Sequence, residues 1–232
     1  RRRGAFSINA LWKNKVAILV GDYLLSRGLL LAVKNKEFHL LELVSTAVQK
    51  MSEGELLQIE KTRKLNITEP EYFEIITNKT ASLVAACCAS GAASTGASEE
   101  TIKHVLEMGE LLGIAFQIKD DLLDFETDLD IGKPTGTDIK EKKMSLPLIY
   151  ALEQSSYAER RSILSGIKRK SSDKEIALRI LAFVKEKKGL EYARSKMYEY
   201  REKSKLMLNE LPDSIYKKAF EQLIEFVTER DK

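Results

Sequence analysis

A helical pattern running from Ser98 into a row of acids at Asp120, Asp121 and Asp124 constrains this chain more than any other stretch. Ser98 has the chemistry of an N-cap, and Glu99 and Glu100 follow where the positive end of a helix favours anions. Ile102, Val105, Leu106, Gly109, Leu112, Gly113 and Phe116 recur at helical spacing, which predicts an inward stripe. At about 100° per residue, Asp120 returns nearly to the azimuth of Ile102 and Asp124 to that of Leu106. Gln117 shares that side, and Asp121 falls at its edge. The acids therefore continue the buried face. They also close the helix at its C-terminal end, where an exposed anion is disfavoured by roughly 0.3–1 kcal/mol. An acidic run is ordinarily a solvated face; the azimuth and the dipole argue against that here. Glu126, Asp128 and Asp130 follow, with no basic residue before Lys133. Carboxylates gathered in this way need counter-charge, and hard divalent cations such as Mg²⁺ suit their oxygens.

The rest of the chain is also written in helical periods, and no alternating strand pattern of useful length occurs. One period runs from Ser7 to about Lys34 through Leu11, Trp12, Val16, Leu19, Val20, Tyr23 and Leu24, interrupted by Asp22. Another runs from Glu37 to about Lys61 and includes Gly54-Glu55-Leu56. Thr68-x-x-Glu71 is a capping box with Pro70 in the first turn. The helix it opens passes Lys79-Thr80 and continues through the small residues of 81–93, which let another helix come close. Lys79 stands just before that uncharged run, either snorkelling with its stem buried or pointed into an anion pocket. Ile131 to Asp138 reads as a loop because of Gly132, Pro134 and Gly136. Glycine loops bearing a lysine beside an acidic cluster suit a phosphate held between metal and cation. Ser145 then caps a helix beginning at Leu146-Pro147. Ser172-x-x-Glu175 reads as a second capping box and Gly189 as a helix-ending glycine. Pro212-Asp213 opens the last helix. Without a clear linker, residues 1–232 read as one all-α domain, a helical bundle.

The totals exclude several classes of partner. Hydrophobic residues make up 44% of the 232, enough for a core, and the net charge is only +3. That balance implies neither nucleic acid nor an anionic membrane surface. No uninterrupted apolar run reaches about 18 residues, so no transmembrane segment is expected, and no signal peptide is visible. Cys87 and Cys88 are adjacent, point about 100° apart on a helix, and read as small core thiols in a reducing cytoplasm. His39 and His104 have no partner motif beside them and read as structural or surface residues. The basic clusters at Arg160-Arg161 and Lys185 to Lys188 read as solvated faces.

These motifs, taken in order, resemble the polyprenyl synthetase family, the trans-isoprenyl diphosphate synthases. Gln117-x-x-Asp120-Asp121-x-x-Asp124 is similar to the family's second aspartate-rich motif. Gly132-Lys133, Gly136-Thr137-Asp138 and Lys143-Met144-Ser145 follow it in family order. Arg2-Arg3-Gly4 resembles the arginine pair just after the first aspartate-rich motif. Trp12, Gly21 to Leu24, Gly54-Glu55-Leu56 and Lys79-Thr80 also fall in place, so the resemblance covers essentially the whole chain.

The resemblance implies a bundle of helices around a central cavity, commonly in a homodimer. It implies 1′-4 condensation of isopentenyl diphosphate with an allylic diphosphate, assisted by Mg²⁺. Asp120, Asp121 and Asp124 would bind Mg²⁺ directly or through water, with Asp138 assisting. Lys79, Thr80, Gln117 and Lys133 would hold the allylic diphosphate or the reacting centre. Arg2 would contact the allylic diphosphate and Arg3 the isopentenyl diphosphate, with Lys143 a further candidate. The first aspartate-rich motif and the helices before it are not in this sequence, which opens Arg1-Arg2-Arg3 without Met. The expectation is therefore that these 232 residues alone are inactive or nearly so, although their parent is an enzyme. Similarity around Lys143 to Pro147 leans towards medium-to-long-chain products. Two other readings fit less of the pattern. A non-catalytic subunit of a heteromeric synthase has little reason to keep Lys79, Gln117 and the aspartates together. A terpene cyclase has little use for Arg2-Arg3 and Lys79-Thr80, which suit a second diphosphate.

Overall fold

In the computed structural model, which describes Phe6 and residues 8–126, 141–170 and 173–230, every regular element is helical. The chain divides into two compact units, Arg1–Ser45 and Thr46–Lys232.

The first unit holds α1 (Ile8–Lys34) and the start of α2 (Phe38–Lys64). The turn between them is a Schellman ending: Glu37 N–H donates to Ala32 O (2.9 Å) and Lys36 N–H to Val33 O (3.1 Å). Lys36 takes the left-handed conformation (φ 59°) that glycine usually fills at that place. α1 leaves Trp12, Ile18, Leu19, Tyr23, Leu24 and Leu31 exposed. Residues 14–34 of this helix have a mean hydropathy of 1.8 and none of their best apolar window is buried. The expectation of no membrane-spanning segment rested on uninterrupted apolar runs; by length and composition, one helix among the described residues is apolar enough to cross a membrane. Asp22 and Arg27 break the uninterrupted run, yet the average over the window still passes.

The second unit is organised around α5 (Glu99–Glu126). Ser98 caps it as its side chain predicts, accepting from Thr101 N–H at 3.2 Å. Against α5 pack α3 (Glu69–Ile76), a π-helical turn (Thr77–Ala81) and α4 (Ser82–Ser94), which together form one continuous helical run. It is also covered by α6 (Leu146–Glu153), α9 (Gly189–Asn209) and α10 (Ile215–Glu229), while α7 (Tyr157–Lys170) and α8 (Lys174–Glu186) pack on each other. Ile118 and Leu122 are 0% and 1% exposed, and burial of side chains this size contributes roughly 1.5–3 kcal/mol each. The small residues of 81–93 serve the close approach expected of them. A Cβ on Gly113 would lie 2.5 Å from Ala81 Cα, and one on Gly109 2.9 Å from Ala85 Cα.

Several local readings need correction. The N-cap of α8 is Asp173, whose carboxylate accepts from Glu175 N–H at 3.0 Å; Ser172 lies outside the described residues. Gly189 does not end a helix: Lys188 carries the positive φ (58°) and Gly189 begins α9. The glycine is needed because a Cβ there would sit 2.2 Å from Pro147 O. The last helix is capped by Ser214, which accepts from Lys217 N–H at 3.0 Å. Cys87 is exposed rather than core, whereas burial pushes the Cys88 thiol up to about 11. Lys187 is not simply solvated, since it donates to Glu159 at 2.9 Å in a partly buried pair. His104 bonds the carbonyl of Met207 (2.8 Å), as a structural histidine does.

Candidate active site

The π-helical turn brings Lys79 and Thr80 to the acidic end of α5. In a π turn the backbone bonds reach one residue further than in an α-helix, a rare geometry that recurs at functional positions. Two glycines let neighbouring helices press against it: Gly113 against Ala81, and Gly54 of α2, where a Cβ would fall 2.7 Å from Lys79 N. Thr80 Oγ1 donates to Gln117 Oε1 at 2.8 Å, and Gln117 Nε2 donates to Asp121 Oδ1 at 3.2 Å. One amide thus ties the Lys79-Thr80 pair to the carboxylates. Lys79 itself is half-buried, with Nζ 2.6 Å from Gln58 Oε1 and 2.5 Å from Glu55 Oε2. It points to polar partners rather than snorkelling into open water.

The three aspartates differ in surroundings. Asp121 is only 6% exposed. Its Oδ2 accepts from the Tyr72 hydroxyl at 2.8 Å and, more weakly, from Leu146 N–H at 3.4 Å. Tyr72, Gln117 and the first amide of α6 therefore converge on one buried carboxylate, which also meets the positive end of that helix. Ser145 precedes α6 as expected, but its hydroxyl is buried without a partner among the described residues and makes no side-chain cap bond. Asp120 is more open, at 41% side-chain exposure, and pairs with Arg230. The surrounding protein nonetheless raises its carboxyl above the ordinary carboxylate range, more than the Arg230 guanidinium lowers it. Asp124 is half-buried and bonded.

The azimuth reading placed Asp120 and Asp124 deepest and Asp121 at the edge, whereas Asp121 is the buried one. The buried line of α5 runs through Met108, Leu112, Ala115, Ile118 and Leu122, a line on which Val105 and Leu106 are only margins. Lys119, 9% exposed, is also drawn in and bonded. Lys143 pairs with Glu141 at 2.5 Å. Arg2, Arg3, Lys133 and Asp138 lie outside the described residues. Sequence reasoning missed Tyr72 and Arg230. Tyr72 carried a weak signal, a tyrosine on the inward face of a capped helix; Arg230, far along the chain, carried none.

Among the described residues, no three acid, histidine or cysteine side chains converge as a ready-made metal cage. The donor chemistry still suits Mg²⁺, which keeps several waters and takes one or two carboxylates plus substrate phosphates. Asp120 and Asp124 offer hard oxygens at the mouth of the cluster, while Asp121 has protein donors on both of its oxygens.

The comparisons show the family and the fold. The sequence profile of the polyprenyl synthetase family matches residues 1–184. A short chain isoprenyl diphosphate synthase from Methanothermobacter thermautotrophicus is 33% identical over 99% of this chain and 72% of its own length. An octaprenyl diphosphate synthase from Escherichia coli is 31% identical over 100% of this chain and 72% of its own. The crystal structure of a decaprenyl diphosphate synthase from Rhodobacter capsulatus superimposes with a TM-score of 0.92 at 32% identity, covering 100% of this chain and 72% of that one. The all-α architecture is that of the isoprenoid synthases, and the chain belongs to the polyprenyl synthetase family.

Proposed function

We propose that this protein is a trans-prenyltransferase that condenses isopentenyl diphosphate with an allylic diphosphate, extending a polyprenyl diphosphate to medium or long length. The observation that carries the reading is the Thr80–Gln117–Asp121 chain of hydrogen bonds, which joins a lysine-bearing turn to an acidic cluster.

The chemistry follows from what these groups can do. Asp120 and Asp124 would hold Mg²⁺, with Asp138 assisting, and Asp121 would fix their helix against α3 and α6. Bound Mg²⁺ would neutralise charge that builds on the leaving diphosphate oxygens. Lys79 would add a positive charge to the same end, a preorganised effect often worth several kcal/mol. In taking that role it exchanges Glu55 and Gln58 for the diphosphate. The Thr80 hydroxyl and Gln117 amide would turn dipoles towards the allylic carbon without supplying a nucleophile that captures it. The apolar faces around Ile114 and Ile118 would exclude water. Lys133, Arg2, Arg3 and Lys143 are proposed as further diphosphate contacts. The diphosphate released can itself accept the final proton, so no histidine or cysteine base is needed.

The same reading includes a homodimer working in the cytoplasm. The exposed apolar side chains of α1 support association with a second copy, which analytical ultracentrifugation tests directly. The activity is tested by incubating the full-length parent protein with labelled isopentenyl diphosphate, an allylic diphosphate and Mg²⁺, then resolving products by thin-layer chromatography. A ladder or band longer than the primer is expected. A cyclised product that ignores isopentenyl diphosphate, or no product from any allylic primer, refutes the reading.

A further inference from the structure

We propose that Arg230 is an internal counter-ion that holds Asp120 while no metal is bound and must leave before Asp120 can take one. The proposal rests on the reading of Asp120 as a metal ligand. Arg230 is the residue just past α10, with φ −59° and ψ 141°, so its side chain departs from the helical path. Its guanidinium meets Asp120 Oδ1, from an element 110 residues away in sequence. The same group lies over the Phe116 ring, 4.5 Å from its centroid, one turn before Asp120 on α5. The stack holds the guanidinium from one side while the carboxylate holds it from the edge.

Two details mark this pair as a placeholder rather than a structural bridge. Arg230 Nε is buried without an acceptor among the described residues, so the guanidinium is incompletely satisfied where it sits. The exposures are also unequal: the Arg230 side chain is 19% exposed and that of Asp120 is 41%. The carboxylate is thus the open member, reachable by an ion from solvent. A dication arriving there finds one oxygen engaged and a fixed positive charge beside it. Metal uptake and the Arg230 bond therefore compete, and the residue just past α10 sets the affinity of the acidic cluster. The Phe116 face can keep the guanidinium near after it lets go.

The test is binding of Mn²⁺ alone, without any diphosphate, followed by loss of the free-ion signal in electron paramagnetic resonance. Arg230→Met keeps the stem and removes the charge. It should bind Mn²⁺ about fivefold more tightly than the unaltered protein, the equivalent of one partly exposed ion pair. The gain should vanish when Asp120→Asn is added. Phe116→Leu, which loosens the guanidinium without touching its charge, should tighten binding about twofold by the same accounting. It keeps the question answerable if Arg230→Met fails to fold. Equal or weaker Mn²⁺ binding in whichever of the two variants is folded overturns the proposal. Product formation from isopentenyl diphosphate with unchanged Mn²⁺ affinity sinks the counter-ion and leaves the enzyme reading standing. Tighter Mn²⁺ binding without product in any condition does the reverse.

Discussion

α1 and α5 are nearly the same length, 27 and 28 residues, and both are rich in apolar side chains, yet they meet opposite fates. α5 is wrapped by α3, α4, α6, α9 and α10, so that even Lys119 and Asp121 are drawn inside. α1 keeps Trp12, Leu19, Tyr23 and Leu24 in the open. Hydrophobic content does not separate them. What α5 has is a set of places where neighbours can come to backbone distance, at Gly109 and Gly113 against Ala85 and Ala81. A Cβ on Gly21 or Gly28 of α1 would meet nothing within 4 Å. Polar groups can be taken inside α5's surroundings because those surroundings offer donors to satisfy them.

Substitutions can break that comparison. The largest effect is expected at the acids: Asp120→Ala should lower turnover about 10²- to 10³-fold in the prenyl transfer assay, with the helical circular dichroism unchanged. Near-normal turnover would refute the metal assignment. Next comes packing. Gly113→Leu places side-chain atoms where Ala81's backbone cannot retreat, and should destabilise by about 3 kcal/mol in urea unfolding. Gly28→Leu in α1 should not. Tyr72→Phe removes one donor from Asp121 and should cost about 1.5 kcal/mol by the same measurement. A smaller change is expected from Leu24→Gln on the bare face of α1: within about 0.5 kcal/mol in unfolding, with weakened self-association in sedimentation. The smallest concerns the partly buried Lys187–Glu159 pair. The Lys187 hydrogen bond, with those from Ser156, holds the Glu159 carboxyl near about 2 against an ordinary 4.5. Because the folded value is depressed, this stabilisation is complete above pH 4.5 and is lost as pH falls through about 2. The melting temperatures of Glu159→Gln and the unaltered protein should therefore converge over that range.

The helices were legible because their signals are local. Ser98, Thr68 with Glu71, and the periodic apolar positions each mark a boundary or a face within a few residues. The kinship of Lys79, Thr80, Gln117 and Asp121 was legible only through the order of motifs along the chain, since nothing in either stretch names the other. The depth of Asp121 was misread because azimuth assumes one buried side, and α5 is covered on several. Arg230 was invisible for a different reason. It is one basic residue in a tail of mixed charge, and only the path of α10 back along α5 carries it to Phe116 and Asp120.

The π turn at Thr77–Ala81 has a consequence for any insertion or deletion nearby. One surplus residue is accommodated there by the wider turn, and it sets where the side chains of the turn itself point. Removing a single residue from the turn would let the backbone snap into an ordinary spiral. The helices on either side would keep nearly their relative phase, since the wider turn already absorbs the extra residue, and the side chains of the turn itself would be re-aimed. Hydroxyl and amide would no longer meet, while total helicity would scarcely change, so a spectrometer would report a healthy protein with a dismantled centre.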